Sequence, residues 1–159
     1  MAKEEKTNVM RLLDKKKIDY NHYTYVNSAA VNGVEVAKIL NQDENRVFKT
    51  LVTVGKSKNN YVFVIPVARE LDLKEAAKSV GEKSIEMLKS KDLLPLTGYI
   101  HGGCSPIGMK KTFKTVVDES AKKYEKIIFS GGKIGYQVEM SPNDLEKFIP
   151  ISFAALTVS

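Results

Sequence analysis

The chain has 159 residues, with 25 Lys and Arg against 19 Asp and Glu, for a formal net charge of +6 and a pI near 9.2. The basic excess favours polyanionic partners, while a single cysteine excludes an internal disulfide and a cysteine-rich zinc site. The N-terminal "MAKEEKTNVMRLLDKKK" lacks the apolar core of a secretory signal, and no apolar run reaches the roughly 18 residues of a membrane span; a cytoplasmic location is expected.

Thr7 or Asn8 is placed to cap a first helix carrying Val9, Met10, Leu12 and Leu13, with Lys15, Lys16 and Lys17 at its C-terminal end. "YNHYTYV" (20–26) is aromatic and alternating, which predicts a strand. Asn32 followed by Glu35 resembles a capping box and opens a helix through Leu40. "RVFKTLVTV" (46–54) and "NYVFVIPV" (60–67) predict two strands joined by the polar turn "GKSKNN". Asp72 and Glu75 start a helix that Gly81 stops.

A short helix near 91–94 and a strand at 98–101 lead into a glycine loop. Strands follow at 113–118 and 126–130, then a second glycine loop, "SGGKIG" (130–135), and a strand at 136–140. Ser141, Pro142 and Asp144 begin a last helix, and 152–158 closes as a strand. About eight strands interleaved with short helices, several joined by hairpins, predict a mixed, curved α/β (α+β) sheet or barrel with helices packed outside. No linker, repeat or low-complexity segment divides the chain, so one domain over 1–159 is expected.

The stretch "YIHGGCSPIGMKKT" (99–112) gathers three glycines, the cysteine and one of two histidines. Gly103 to Gly108 has the glycine spacing of a phosphate loop, but Met109 stands where the lysine is required and Pro106 removes a backbone donor. A Cys104 nucleophile with His101 as base, a rigid turn whose N–H groups face a ligand carbonyl, and a plain loop are the remaining readings. Lys49, amid apolar residues on a strand, is either a charge guarding a sheet edge or one aimed into a site. The two glycine loops, at the ends of neighbouring strands, can form opposite walls of one pocket, with Tyr25 as a further wall. His22 and His101 lie far apart without a carboxylate cluster, and G-x-G-x-x-G is missing, so neither a metal nor a dinucleotide cofactor is expected.

Together, "FKTLV", "GYIHGGCSPIGMKK" and "SGGKIGYQVEMSPNDL" resemble the YbaK/EbsC family, freestanding relatives of the editing domain of bacterial prolyl-tRNA synthetase. The resemblance implies a mixed β-barrel with surrounding helices. It also implies deacylation of mischarged tRNA, chiefly Cys-tRNA(Pro), with Cys-tRNA(Cys) as a further substrate and prolyl-tRNA synthetase as a partner. It puts the family's invariant lysine on Lys49, the glycine lining the substrate carbonyl on Gly102 with Gly103 beside it, the active-site tyrosine on Tyr25 and the second-loop serine on Ser130. Seven residues further on, relatives often carry a small or acidic polar residue, and Gln137 departs from that pattern. The implied mechanism is substrate-assisted, the cysteine thiol attacking its own ester. A deacylase for another mischarged tRNA, such as Ala-tRNA(Pro), and a non-catalytic module for aminoacyl-adenosine or a nucleotide stay open beside it.

Overall fold

Most helices start where a side chain can accept an otherwise unpaired backbone N–H. In the computed structural model, which describes residues 6–26, 28 and 32–158, Thr7 accepts from Met10 N–H at 3.2 Å and opens α1 (Asn8–Lys15). Asn32 accepts from Glu35 N–H at 3.0 Å at the start of α2 (Gly33–Ile39), and Asp72 accepts from Lys74 and Glu75 at the start of α3 (Leu73–Val80). Gly81, left-handed at φ 73°, ends α3 as expected. Residues 1–5, part of the segment read as lacking a signal, lie outside the described residues. No helix among the described residues is long and apolar enough to cross a membrane.

The strands are β1 (Tyr20–Thr24), β2 (Phe48–Gly55), β3 (Asn60–Pro66), β4 (Ile85–Met87), β5 (Lys114–Asp118), β6 (Ile127–Ser130), β7 (Tyr136–Met140) and β8 (Ile151–Ala154). They form a three-stranded sheet, β1-β7-β6, and a five-stranded sheet, β4-β2-β3-β5-β8. The second is mixed, with β3–β5 and β5–β8 parallel and the β2 pairings antiparallel. This is the mixed α+β arrangement expected; of its two expected forms, sheet or barrel, the strands among the described residues make open sheets and close no barrel. Outside the named strands, a parallel bridge between Val47 and Ile128 joins β2's start to β6; further along, β2 turns its edge to β4 instead.

The five-stranded sheet is apolar on both faces, which is why β3 reads as an unbroken hydrophobic run. Val62 and Val64 face a core with Phe48, Val52, Phe129, Val138 and the α1 residues Val9, Met10 and Leu13. Tyr61, Phe63 and Ile65 face the opposite way, against Ala76 and Ala77 of α3.

The segment 98–101 is not a strand. Gly98 is the left-handed C-cap of α4 (Ser90–Thr97), a helix longer than the 91–94 expected, and the chain runs directly into the glycine loop. Short β4 takes the place of that strand in the eight. The segment after Ser141 forms a 3-10 turn, Pro142–Lys147, and the last strand ends at Ala154.

Candidate active site

A cavity of about 980 Å³ opens where the three-stranded sheet, the N-terminal part of α2 and the edge of β2 meet. That is near the upper end of the roughly 300–1,000 Å³ usual for small-molecule sites. Tyr25, Lys49, Gly102, Ser130 and Gln137 all line it. These residues come from five separate parts of the chain.

Both glycine loops are tied down by hydrogen bonds. Tyr99 donates its phenol to the Ile107 carbonyl at 2.5 Å, bracing the first loop from within. In the second, Ser130 Oγ accepts from Gly132 N–H at 3.1 Å, and Tyr25 N–H donates to the Gly135 carbonyl at 2.8 Å. The loops touch: a Cβ on Gly103 would lie 3.1 Å from the Ile134 backbone nitrogen. This close approach explains a glycine there.

The two adjacent glycines differ in use. Gly103 is buried and its N–H donates to the Ile100 carbonyl at 3.0 Å, so it closes the turn. Gly102, at φ 88°, lines the cavity, and its N–H has no partner among the described residues. Of the pair, Gly102 has the donor available to a ligand oxygen.

Lys49 pairs with Ile65 of β3, whereas the next residue, Thr50, pairs with Val64 and turns to the other face of the strand. Both line the cavity, which therefore wraps around the stretch of β2 edge that β4 leaves uncovered. The Lys49 ammonium is half-buried and makes no hydrogen bond or salt bridge among the described residues. Desolvation lowers its pKa, with the Glu70 carboxylate opposing that shift. The buried Thr50 hydroxyl oxygen also has no partner among the described residues. Sequence reasoning passed over Thr50, although it follows Lys49 directly.

Cys104 lines the cavity, but burial pushes its thiol pKa up to about 12. No hydrogen bond joins it to His101, which is exposed at the cavity rim. A protonated thiol without a base is a poor nucleophile. Cys104→Ser is expected to keep most of any activity at this site. A loss beyond about a hundredfold in initial rate, the scale for a catalytic group, would restore the nucleophile.

Behind the cavity, β7 carries Gln137 and Glu139 on one face, both nearly buried. Burial alone would raise the Glu139 pKa. Hydrogen bonds from Asn21 at 2.8 Å and Tyr23 at 3.0 Å, with the Arg46 guanidinium at 2.5 Å, outweigh it and hold the carboxyl below its usual range. This network ties the Glu44–Arg46 turn to the sheet and so fixes the approach to β2. Gln137 accepts from Gln42 Nε2 at 2.8 Å. Among the described residues there is no group of three His, Cys, Asp or Glu placed to hold a metal ion.

Residues 28–148 match the family model of the aminoacyl-tRNA editing domain. The chain is 46% identical to EbsC of Enterococcus faecalis, over 97% of this chain and 94% of that one; EbsC is described as a candidate Cys-tRNA(Pro)/Cys-tRNA(Cys) deacylase. It is 29% identical to a proline–tRNA ligase of Thermosipho melanesiensis, over 64% of this chain and 18% of the ligase. A crystal structure described as a candidate trans-editing enzyme for prolyl-tRNA synthetase superposes with a TM-score of 0.80 at 21% identity, covering 95% of both chains. A shared fold, a family match across most of the chain and a relative similar along its full length lead to one assignment: the chain belongs to the aminoacyl-tRNA editing domain family.

Proposed function

We propose that the chain acts as one cytoplasmic editing unit that deacylates mischarged tRNA in trans, with Cys-tRNA(Pro) as its main substrate and Cys-tRNA(Cys) as a second. The observation that carries this reading is a cavity combining a free backbone donor at Gly102 and an unpaired cation at Lys49 with a cysteine kept protonated. Such a site has the means to stabilise an oxyanion and no activated nucleophile of its own.

The chemistry of the substrate supplies what is missing. The cysteinyl sulfur attacks its own ester carbonyl, forming a C–S bond as the C–O bond to the terminal ribose breaks. The thiol proton ends on the ribose oxygen, and the products are tRNA and a cyclic thiolactone. Gly102 N–H and Lys49 act on the carbonyl oxygen as negative charge develops there; Tyr25 and Ser130 form the walls that orient the ester. Chemistry of this kind sorts cysteine from proline, which volume sorts poorly, since one methylene is worth only about 1–3 kcal/mol in a pocket.

The 46% identity to EbsC supports the substrate, and the similarity to a proline–tRNA ligase supports prolyl-tRNA synthetase as the partner that delivers the tRNA. The test is a deacylation panel of Cys-, Ala-, Ser- and Pro-tRNA(Pro) together with Cys-tRNA(Cys), with and without the synthetase. Fast turnover of the cysteinyl esters is expected. Preference for Ala-tRNA(Pro) would move the assignment to another mischarged tRNA, and binding without release of free tRNA would make the chain a binding module.

A further inference from the structure

Gln137 is a neutral amide, 5% exposed, on the wall of a cavity that also holds a cation. Its environment is asymmetric. The Oε1 atom accepts from Gln42 Nε2 at 2.8 Å, while Nε2 donates to nothing among the described residues. With the oxygen engaged, Gln137 offers the cavity two N–H donors and no acceptor.

Gln42 lies 95 positions away in sequence and is brought to Gln137 by the end of α2. Asn41 takes the left-handed conformation at φ 54°, and Gln42 N–H returns to the Ala37 carbonyl at 2.8 Å. Asparagine tolerates that backbone well. The turn therefore aims the Gln42 side chain at β7. The Gln42 Oε1 atom is itself buried without a partner among the described residues. An apolar residue at position 42 would avoid that deficit, so packing alone does not account for the amide.

We infer that Gln42 is a positioning residue: it fixes the Gln137 amide with its NH2 group toward the cavity, so that Gln137 donates to an oxygen of the bound aminoacyl ester. The inference rests on the reading of the cavity as an aminoacyl-ester site. An ammonium group has only donors and gains nothing from an NH2, whereas a carbonyl oxygen accepts from it. The pair thus recognises the acyl group, and the α-amino group of the substrate is not held by Gln137.

The test is a double-mutant cycle with Gln42→Leu, Gln137→Leu and the double variant. Two readouts are used, kcat and KM for Cys-tRNA(Pro) deacylation, and the Kd of a stable cysteinyl-amide analogue of 3′-terminal adenosine by calorimetry. Gln42→Leu is expected to lower kcat/KM and weaken the analogue about tenfold, the worth of one neutral hydrogen bond. In the Gln137→Leu background it should change neither. Gln42→Glu, which only accepts, turns the Gln137 amide around and should lower binding of the analogue at least as far, without loss of Tm. Equal losses from Gln42→Leu in both backgrounds, or no loss in the wild-type background, would overturn the inference. A wild-type protein that binds the analogue with the expected coupling but deacylates no ester in the panel would sink the functional reading and leave the Gln42–Gln137 pair standing; one that does not bind the analogue would sink the pair.

Discussion

Lys49→Ala is expected to reduce deacylation of Cys-tRNA(Pro) by about 10²–10³-fold, the scale for removing one group that stabilises an oxyanion. The fold should survive. Lys49 is half-buried, sits on an uncovered strand edge and makes no ion pair among the described residues, so its loss strands no partner. A change within about 0.5 kcal/mol, typical of such positions, corresponds to roughly 1–2 °C in Tm for a chain of this size. Desolvation destabilises the ammonium by more than the Glu70 carboxylate offsets, and a developing negative charge in the cavity relieves that deficit. The effect should fall mainly on kcat, because the charge it answers exists mainly in the transition state. Wild-type turnover in Lys49→Ala would return the residue to the other role weighed from its pattern, a charge that keeps foreign strands off the sheet edge.

That choice was not open to decision from the sequence, for a physical reason. Whether Lys49 lies on a covered or an open edge depends on where β4 stops, and Ile85–Met87 is three residues long, too short to show an alternation. Features set by neighbouring residues were legible: the caps at Thr7, Asn32 and Asp72, the Gly81 stop and the hairpin between β2 and β3 all formed where local chemistry put them. Features set by packing were not. Residues 98–101 have strand composition, yet Tyr99 spends its phenol on the Ile107 carbonyl and its N–H on Thr97 Oγ1 at 3.0 Å, so the segment builds the loop instead.

The candidate site divides the same way. The glycine motifs pointed to Gly102 and Ser130, but only the fold separates Gly102, with a free N–H, from Gly103, whose N–H closes a turn. The sequence carried no sign of Gln42, because a residue in a connecting turn acquires its partner 95 positions away only when α2 packs, through Ala37, against Val47 and Ile128.

The mechanism itself predicts that exchanging sulfur for oxygen in the substrate stops the reaction while leaving its size almost unchanged. Ser-tRNA(Pro) should enter the same cavity and make the same contacts with Gly102, Lys49 and the Tyr25 wall. Its hydroxyl is almost wholly protonated near neutral pH. A thiol of pKa about 8.5 is a few per cent thiolate there and is intrinsically far more nucleophilic. A site with one free backbone donor and one cation does not make up that difference, because each such group supplies only about 10²–10³. Nor can the protein lend a nucleophile, since burial holds the Cys104 thiol pKa near 12. Loss of serine should therefore be more than about a hundredfold slower than loss of cysteine, the scale on which absence of a reacting group is felt. In rapidly quenched reactions on Cys-tRNA(Pro), mass spectrometry should find the thiolactone before free cysteine. Equal rates for the two esters, with free cysteine as the first product, would mean that water is the attacking group. The partnerless hydroxyl of Thr50, with Lys49 beside it on the uncovered edge of β2, would then be the first place to look for what directs that water.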